Sequence, residues 1–312
     1  MNGAAQNGSS QDLLTIAVPT YNRNGVLAEN LRLLLPQLGD RCRLLIIDNC
    51  SDTPVADTLA ELLHAHCPCE WRIVRNATNI GANANVLRCF ELCESKWVWV
   101  LGDDDPVWPD AVEKIFAVIE THPDCLFCNF ASEIYARPQA HSSRGLSEFI
   151  AQLDDFSNVL FISTGFYCAE QLRPHLTAGY LHTGSYAPHL ALLLSALDEH
   201  NLCLFHTDAI VHHDNEAPIR WSYVSSVSGW YDLLDLLKTN DQRRTLAQTF
   251  TDALLPVLPI VTKQLVLMGL RQGRTDNAVH YYRKISRRVL MYNGRLSLRA
   301  KLALYGWFIR NP

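Results

Sequence analysis

The sequence lacks a long uninterrupted apolar segment. Its most apolar stretch, residues 253–262, is ten residues long and contains Pro256 and Pro259, whereas a helix that spans a membrane needs about 20 apolar residues. The first eleven residues are rich in Gly, Ser, Asn and Gln, without the cationic and apolar regions of a secretory signal. We therefore expect a disordered tail over residues 1–11 and a cytoplasmic location.

Positive charge is scarce over most of the chain. The 27 Lys and Arg residues against 32 Asp and Glu residues give a formal net charge of −5, which argues against nucleic acid as a partner. The cations are concentrated at the C-terminus, where residues 269–312 hold ten Lys and Arg residues and a single acid, Asp276. A block of this kind predicts a local anionic partner.

The sequence also lacks the paired loop knuckles of a structural zinc site. Its ten cysteines include the pair Cys125 and Cys128, which falls in a strand-like stretch where the two side chains point to opposite faces. The pair Cys89 and Cys93 lies in a helical pattern. We predict that the cysteines are reduced and mostly buried.

From residue 13 onward, short apolar strands alternate with amphipathic helices. The pattern predicts strands at 13–18, 43–47, 71–74, 97–101 and 126–130, with helices at 24–38, 54–66, 83–93 and 109–121. This alternation is typical of an α/β fold with a parallel sheet and helices on both faces. After residue 130 the pattern loosens, with strands predicted at 159–167, 202–205 and 210–213, a helix at 189–200, and helices from residue 221 to the C-terminus.

Unusual polar residues follow three of the predicted strands. Pro19-Thr20-Tyr21-Asn22 ends the first strand, a segment from Asp48 to Asp52 follows the second, and the triplet 103–105 of three aspartates follows the fourth. Ligands of parallel sheets bind at the carboxyl ends of the strands. These three segments are therefore the candidate binding site.

Three adjacent carboxylates after a buried strand repel one another and are costly without a partner. Mg²⁺ or Mn²⁺, held by one or two carboxylates together with substrate phosphates, would relieve both penalties. The alternative is a solvated acidic turn. Asp48 could accept hydrogen bonds from a ligand or could cap the next helix. The segment Asn79-Ile80-Gly81 with Asn85 could hydrogen-bond a nucleotide or form an ordinary turn.

In order and spacing, these motifs resemble those of family 2 glycosyltransferases, strongly over about residues 13–128 and more weakly to about residue 213. The resemblance implies the GT-A fold, a nucleotide-diphosphate sugar as donor, and Mn²⁺ or Mg²⁺ as cofactor. It further implies that Asp48 binds the nucleotide base, that Asp103 binds the ribose, and that Asp105 ligates the metal, with Asp103 as a second candidate ligand. The implied donor-binding residues are Pro19, Thr20, Tyr21, Asn22, Asp48, Asn79, Gly81, Asn85, Asp103 and Asp104.

Histidines occupy two further positions that matter in this family. His212 and His213 follow the last predicted strand, where relatives place a histidine near the metal, and imidazole is an acceptable Mn²⁺ ligand. At the position of the acidic general base of inverting relatives, this sequence has Pro188-His189-Leu190, without a carboxylate. His189 is therefore the candidate base, although it could also contact the acceptor or cap the helix. The missing acid leaves a retaining mechanism open.

These features predict a glycosyltransferase domain over 12–215, with a donor half at 12–130 and an acceptor half at 131–215, followed by a helical region at 216–312. We expect sugar transfer to a hydroxyl of a glycan or lipid-linked acceptor, in the assembly of bacterial surface polysaccharide such as O-antigen, capsule or exopolysaccharide. The basic C-terminal helices, at 277–291 and 296–309, could contact the anionic inner face of the cytoplasmic membrane. A nucleotidyltransferase and a non-catalytic carbohydrate-binding protein are the alternatives.

Overall fold

A computed structural model describes residues 14–133, 135–153, 156–212, 227 and 229–272. It contains eight strands: β1 (Leu14–Thr20), β2 (Cys42–Asp48), β3 (Glu70–Arg75), β4 (Trp97–Val100), β5 (Cys125–Ala131), β6 (His141–Arg144), β7 (Gly165–Cys168) and β8 (Leu202–Ala209). They form one sheet in the order β3-β2-β1-β4-β7-β5-β8-β6.

Helices connect most of the strands. They are α1 (Asn24–Leu34), α2 (Val55–His66), α3 (Ala82–Glu91), α4 (Ala111–Thr121), α5 (Gly145–Ala151), α6 (Phe156–Leu160), α7 (Ala169–Leu172), α8 (Leu176–Leu181), α9 (Pro188–Ala196) and α10 (Asn240–Gln272). Short 3₁₀ turns extend or link several of them, at Leu35–Gln37, Ile162–Thr164, Arg173–His175, Thr183–Ser185 and Tyr231–Leu236. Among the described residues, no helix is both long enough and apolar enough to cross a membrane.

The chain divides into two compact units. The first comprises residues 1–142, 161–176 and 201–215, and the second comprises residues 143–160, 177–200 and 216–312. The segments 143–160 and 177–200 thus group with the C-terminal part of the chain, whereas the sequence-based domains place them before residue 215. Those domain boundaries stay a prediction.

The predicted α/β alternation over the first 130 residues is confirmed. Strands β3, β2, β1 and β4 are parallel neighbours, and every residue of β4 and β5 is buried. Side chains that are apolar on both faces are typical of parallel strands covered by helices on each side. The helices turn their apolar stripes inward, as Leu27, Leu31 and Leu34 do in α1. The last residues of β1, β2 and β3 are in register, at Thr20, Asp48 and Arg75, so the polar loops that follow them lie along one edge of the sheet.

The prediction of a strand at 159–167 is wrong except at its last three residues. Residues 156–160 form α6, and only Gly165–Cys168 forms a strand, β7, which inserts antiparallel between β4 and β5. An apolar run of this length fits a buried helix turn as well as a strand, so periodicity could not separate them. The strand predicted at 210–213 is also wrong within the described residues, since it is reduced to an isolated bridge between Val107 and Val211.

The helical prediction for the C-terminal part is confirmed where it can be compared. Helix α10 and the 3₁₀ helix Tyr231–Leu236 both lie in the part of the chain from residue 221 onward that is predicted to be helical. The predicted helices at 277–291 and 296–309 lie outside the described residues. All ten cysteines are free thiols, of which Cys50, Cys67 and Cys69 are partly exposed and the others are buried, as the sequence predicts.

Gly165 begins β7 in a position with no space for a side chain. A Cβ built on it would lie 2.7 Å from the Cε2 atom of Phe127, a buried ring that stacks on Tyr167. We predict that Gly165→Ala lowers the free energy of unfolding by about 1–3 kcal/mol, the usual cost of overpacking. Urea unfolding measures this loss. Gly39→Ala is the control, because nothing lies within 4 Å of a Cβ there; equal midpoints for the two variants would contradict this packing.

Candidate active site

Polar side chains from four loops meet at the carboxyl ends of the parallel strands in the first unit. Thr20 pairs in register with Asp48 across β1 and β2, and Asp48 pairs with Arg75 across β2 and β3. The acidic triplet follows β4 on the other side of β1. The sheet therefore places the predicted motifs side by side, as their positions at strand ends require.

Asp103 is the buried member of the acidic triplet. Its carboxylate accepts a hydrogen bond of 2.6 Å from Thr20 Oγ1 and one of 2.8 Å from Arg23 Nη1, while Asn30 Nδ2 donates to its backbone oxygen at 2.8 Å. Burial raises the pKa of Asp103, and the donors from Thr20 and Arg23 oppose that rise. Arg23 Nη1 also lies 2.8 Å from Asp104 Oδ2, so one guanidinium bridges two carboxylates.

Asp105 has a separate hydrogen-bond partner, Ser163. Ser163 Oγ donates to its Oδ2 atom at 2.5 Å, and the same Oγ accepts a bond of 2.8 Å from the backbone N–H of Gly102. Burial raises the pKa of Asp105 to about 7, with further contributions from the charges of Asp104 and Asp103. The carboxylate is thus positioned by a serine from the segment that precedes β7.

Asp48 is fully buried where β2 ends. It accepts hydrogen bonds from the backbone N–H groups of Ser51 at 2.8 Å and Val55 at 3.3 Å, and from Arg75 Nη1 at 2.5 Å. Burial acts to raise its pKa, but the hydrogen bonds from Ser51, Val55 and Arg75 outweigh burial and lower it. The carboxylate therefore holds the β2 loop and the start of α2 together. Its predicted contact with a nucleotide base stays a prediction.

Asparagines connect the β2 loop with the β3 loop. Asn49 Nδ2 donates to Asn79 Oδ1 at 2.9 Å, and Asn76 Nδ2 donates both to Asn49 Oδ1 at 2.9 Å and to Asn85 Oδ1 at 2.8 Å. Asn85 Nδ2 donates to the backbone oxygen of Ile47 at 3.1 Å. Asn85 is buried, with both amide atoms of its side chain in internal bonds, so in this structure it fixes the loop. Gly81 directly precedes α3, and its φ of 85° is a conformation that favours glycine.

The β1 loop leaves one aromatic ring exposed at this edge. Tyr21 is 41 % exposed, beside Asn22, whose φ of 55° lies in the left-handed region. Asn22 is held there because its N–H donates to Ser51 Oγ at 2.9 Å and its Oδ1 accepts from the N–H of Asp52 at 2.7 Å. The exposed ring is therefore fixed at its base and open to a planar ligand.

His212 lies next to the chain segment that follows the acidic triplet. Its N–H donates to the backbone oxygen of Pro106 at 2.7 Å, its ring contacts that of Trp108 with centroids 3.6 Å apart, and its Nδ1 atom lies 3.0 Å from Glu133 Oε1. In the tautomer with a proton on Nδ1 donated to Glu133, the lone pair on Nε2 is available to a metal. His213 lies outside the described residues.

His189 belongs to the second unit. It is buried at the start of α9, with Nε2 3.2 Å from the carbonyl oxygen of Val159, and burial lowers its pKa to about 4. An imidazole so buried and hydrogen-bonded is a neutral packing group in this structure and a weak base. Its predicted role as general base stays a prediction, and these observations weigh against it.

Four residues of the site were missed by the sequence reasoning. Arg23 directly follows the β1 motif, and Arg75 ends β3 as Asp48 ends β2, so adjacency and strand register could have indicated both. Ser163 lies in a short 3₁₀ turn and Glu133 follows β5, both far along the chain from their partners, and no local pattern distinguishes them. Among the described residues, no three His, Cys, Asp or Glu side chains are grouped closely enough to hold a metal alone.

Comparison with known sequences assigns this chain to a family. The family model described as Glycosyl transferase family 2 matches residues 15–170, which is half of the chain. The chain belongs to glycosyltransferase family 2. The match covers β1 to β4 with all of their loops, and it extends through β7 and Ser163.

Two curated relatives match shorter stretches of the chain. An uncharacterized glycosyltransferase of Haemophilus influenzae is 30 % identical over 115 residues, which is 37 % of each protein. An uncharacterized protein of Mycobacterium tuberculosis is 26 % identical over 106 residues, which is 34 % of this chain and 32 % of that protein. The chain thus aligns with about a third of the length of these relatives.

Solved structures agree with the family assignment at the level of the fold. The crystal structure of S. aureus TarS, residues 1–349, matches with a TM-score of 0.63 and 14 % identity, covering 96 % of this chain and 88 % of that one. TarS structures in complex with UDP and with UDP-GlcNAc match similarly, with TM-scores of 0.63 and 0.60. The mannosyltransferase PcManGT from Pyrobaculum calidifontis, in complex with GDP-Man and Mn²⁺, matches with a TM-score of 0.50 and 12 % identity, covering 89 % of this chain and 86 % of that one. The GT-A fold predicted from the sequence is confirmed.

Asp48→Asn keeps the size of the side chain and removes its charge. We predict that it lowers the free energy of unfolding at neutral pH by about 1–3 kcal/mol, because an amide N–H₂ then faces a backbone donor. The lowered pKa of Asp48 means that the carboxylate stabilises the fold above its ordinary pKa of about 4. This contribution is lost as the pH falls through the folded pKa. The stability difference between wild type and variant should therefore narrow in acid.

Urea unfolding between about pH 6 and about pH 3 measures the effect. Asp57→Asn, which changes an exposed carboxylate in the first turn of α2, is the control and should cost less than about 0.5 kcal/mol. If Asp48→Asn unfolds like the wild type across this range, the buried carboxylate does not hold the loop.

Proposed function

We propose that this family 2 protein is a metal-dependent glycosyltransferase, which moves a sugar from a nucleotide-diphosphate sugar to a hydroxyl of a glycan or lipid-linked acceptor. The observation that carries the proposal is the acidic loop after β4, which is held beside Thr20 and Arg23 at the carboxyl ends of the parallel strands. Structural relatives named with UDP, UDP-GlcNAc and GDP-Man support a nucleotide-sugar donor.

Each group at this edge has a task that suits such a donor. The exposed ring of Tyr21 can stack on a nucleotide base, Asp103 can accept hydrogen bonds from a ribose, and the cationic Arg23 can face phosphate oxygens. The pair of Asp48 and Arg75 holds the loop after β2 in place. The site thereby matches a ligand with a flat base at one end and a diphosphate at the other.

The residues present fit a divalent cation. Asp103, Asp104 and Asp105 offer hard carboxylate oxygens. Among the described residues, no three His, Cys, Asp or Glu side chains are grouped closely enough to hold a metal alone. The remaining ligands would therefore be diphosphate oxygens, which Mg²⁺ and Mn²⁺ sites commonly use. His212, oriented through Glu133, is a further candidate ligand. When bound, the cation would neutralise negative charge that develops on the departing diphosphate.

In the proposed reaction, an acceptor hydroxyl forms a bond to the anomeric carbon of the donor, and the bond from that carbon to the diphosphate oxygen breaks. The hydroxyl gives its proton to water, and the nucleoside diphosphate leaves with the electron pair of the broken bond. The chain's own contribution is to position the donor and to place Arg23 beside the developing charge, which is the electrostatic stabilisation that such a step requires.

The proposed cellular setting is the assembly of bacterial surface polysaccharide at the cytoplasmic side of a membrane. Its support is the sequence alone, because the ten cations of residues 269–312 predict an anionic surface as partner. These residues lie outside the described part of the chain, apart from the end of α10.

Release of free nucleoside diphosphate from UDP-, GDP-, CDP- and dTDP-sugars with Mn²⁺, in the presence of glycan acceptors, tests the proposed function. We predict that Asp105→Ala reduces Mn²⁺-dependent turnover by at least about 100-fold, the scale of losing an electrostatic group in a transition state, and leaves thermal unfolding close to that of the wild type.

Asp110→Ala is the matched control, because Asp110 is an exposed carboxylate on the same segment that pairs with Lys114 at 3.0 Å. It should retain full turnover. Wild-type turnover in Asp105→Ala would remove this residue from the metal site. Transfer of the nucleotide instead of the sugar would show a nucleotidyltransferase, and binding of sugar nucleotides without turnover would show a binding protein.

A further inference from the structure

One guanidinium nitrogen contacts the first two carboxylates of the acidic loop. Arg23 Nη1 lies 2.8 Å from Asp103 Oδ1 and 2.8 Å from Asp104 Oδ2. These are the oxygen ligands that a divalent cation would seek at this loop. In this structure, therefore, a cation built into the chain already occupies the position between the two carboxylates.

The two carboxylates differ in what they need from this arginine. Asp103 is buried and has Thr20 as its other side-chain donor, so it depends on nearby positive charge to stay ionised. Asp104 is 43 % exposed and is well solvated. An arginine in this place stabilises the acidic loop without any bound ion.

Arg23 is free to exchange partners. Its side chain is 29 % exposed, and it extends from the position directly before α1, where its backbone oxygen accepts a bond from the N–H of Leu27 at 2.9 Å. The backbone is thus fixed, while the side chain stays partly accessible beside the two carboxylates. Guanidinium groups bind phosphate oxygens in the same forked geometry as carboxylates.

We propose that Arg23 is an exchangeable counter-ion: it pairs with Asp103 and Asp104 in the absence of ligand and moves to the diphosphate when a divalent cation takes its place. The inference rests on the proposed function and adds how the site couples its two ligands. A divalent cation that binds alone must displace the positively charged guanidinium of Arg23, which weakens its binding. A bound diphosphate pairs with this guanidinium and so removes the competition. Cation and nucleoside diphosphate therefore bind with positive coupling, which by linkage is reciprocal.

Binding measurements on Arg23→Gln test the coupling without any turnover. Mn²⁺ alone, followed by the electron paramagnetic resonance signal of the free ion, should bind Arg23→Gln at least about 10-fold more tightly than wild type, because the competing charge is gone. UDP or GDP, titrated at saturating Mn²⁺, should bind the same variant at least about 10-fold more weakly, because the diphosphate has lost its arginine. A damaged fold could not produce these opposite changes.

Two further variants complete the experiment. Arg41→Gln removes an exposed arginine that pairs with Glu120 at 2.7 Å on the same unit, and it should change neither affinity. Arg23→Lys keeps the charge, and its Mn²⁺ affinity should stay closer to that of the wild type than that of Arg23→Gln. Unchanged or weaker Mn²⁺ binding by Arg23→Gln would overturn the inference while leaving the proposed function intact. Wild-type protein that binds neither Mn²⁺ nor a nucleoside diphosphate would overturn both.

Discussion

The burial of two carboxylates at the ends of parallel strands is the constraint on which the rest of the site depends. Asp48 ends β2 and Asp103 follows β4, on either side of β1, and both are shielded from water. A buried charge without partners is strongly disfavoured, so each carboxylate is held by an arginine and by neutral donors. The loops of the first unit are arranged around those bonds.

This arrangement explains why the site is both rigid and open. Backbone N–H groups, asparagine side chains and Ser163 tie the loops to one another. Accessible groups at this edge include the ring of Tyr21, the carboxylate of Asp104 and part of Arg23. A preorganised edge with exposed groups of these types suits a ligand that carries a base and a charged diphosphate.

Much of this could be predicted from the sequence because its causes are local. The alternation of apolar strands with amphipathic helices follows from burial on both faces of a parallel sheet, and polar motifs at strand ends are brought together by the topology itself. The positions of Thr20, Asp48 and the acidic triplet followed from those two rules. The pairing of Asp48 with Arg75 could also have been found, because both residues end adjacent strands.

Other features depend on contacts that no local pattern encodes. The insertion of β7 between β4 and β5 reverses the strand direction in a short apolar stretch, where a helix and a strand look alike. Ser163 meets Asp105 only because of that insertion. The burial of His189 likewise depends on packing within the second unit, so a position inferred from its order in the chain could not reveal its environment.

The proposed function requires that the acidic loop after β4 binds a cation and a diphosphate. Crystals grown with Mn²⁺ and UDP or GDP, measured for the anomalous scattering of manganese, test it most directly. We expect an anomalous peak whose ligands are carboxylate oxygens of the triplet 103–105 and diphosphate oxygens, with the base near Tyr21. A bound nucleotide elsewhere, or manganese that is not ligated by the triplet, would contradict it.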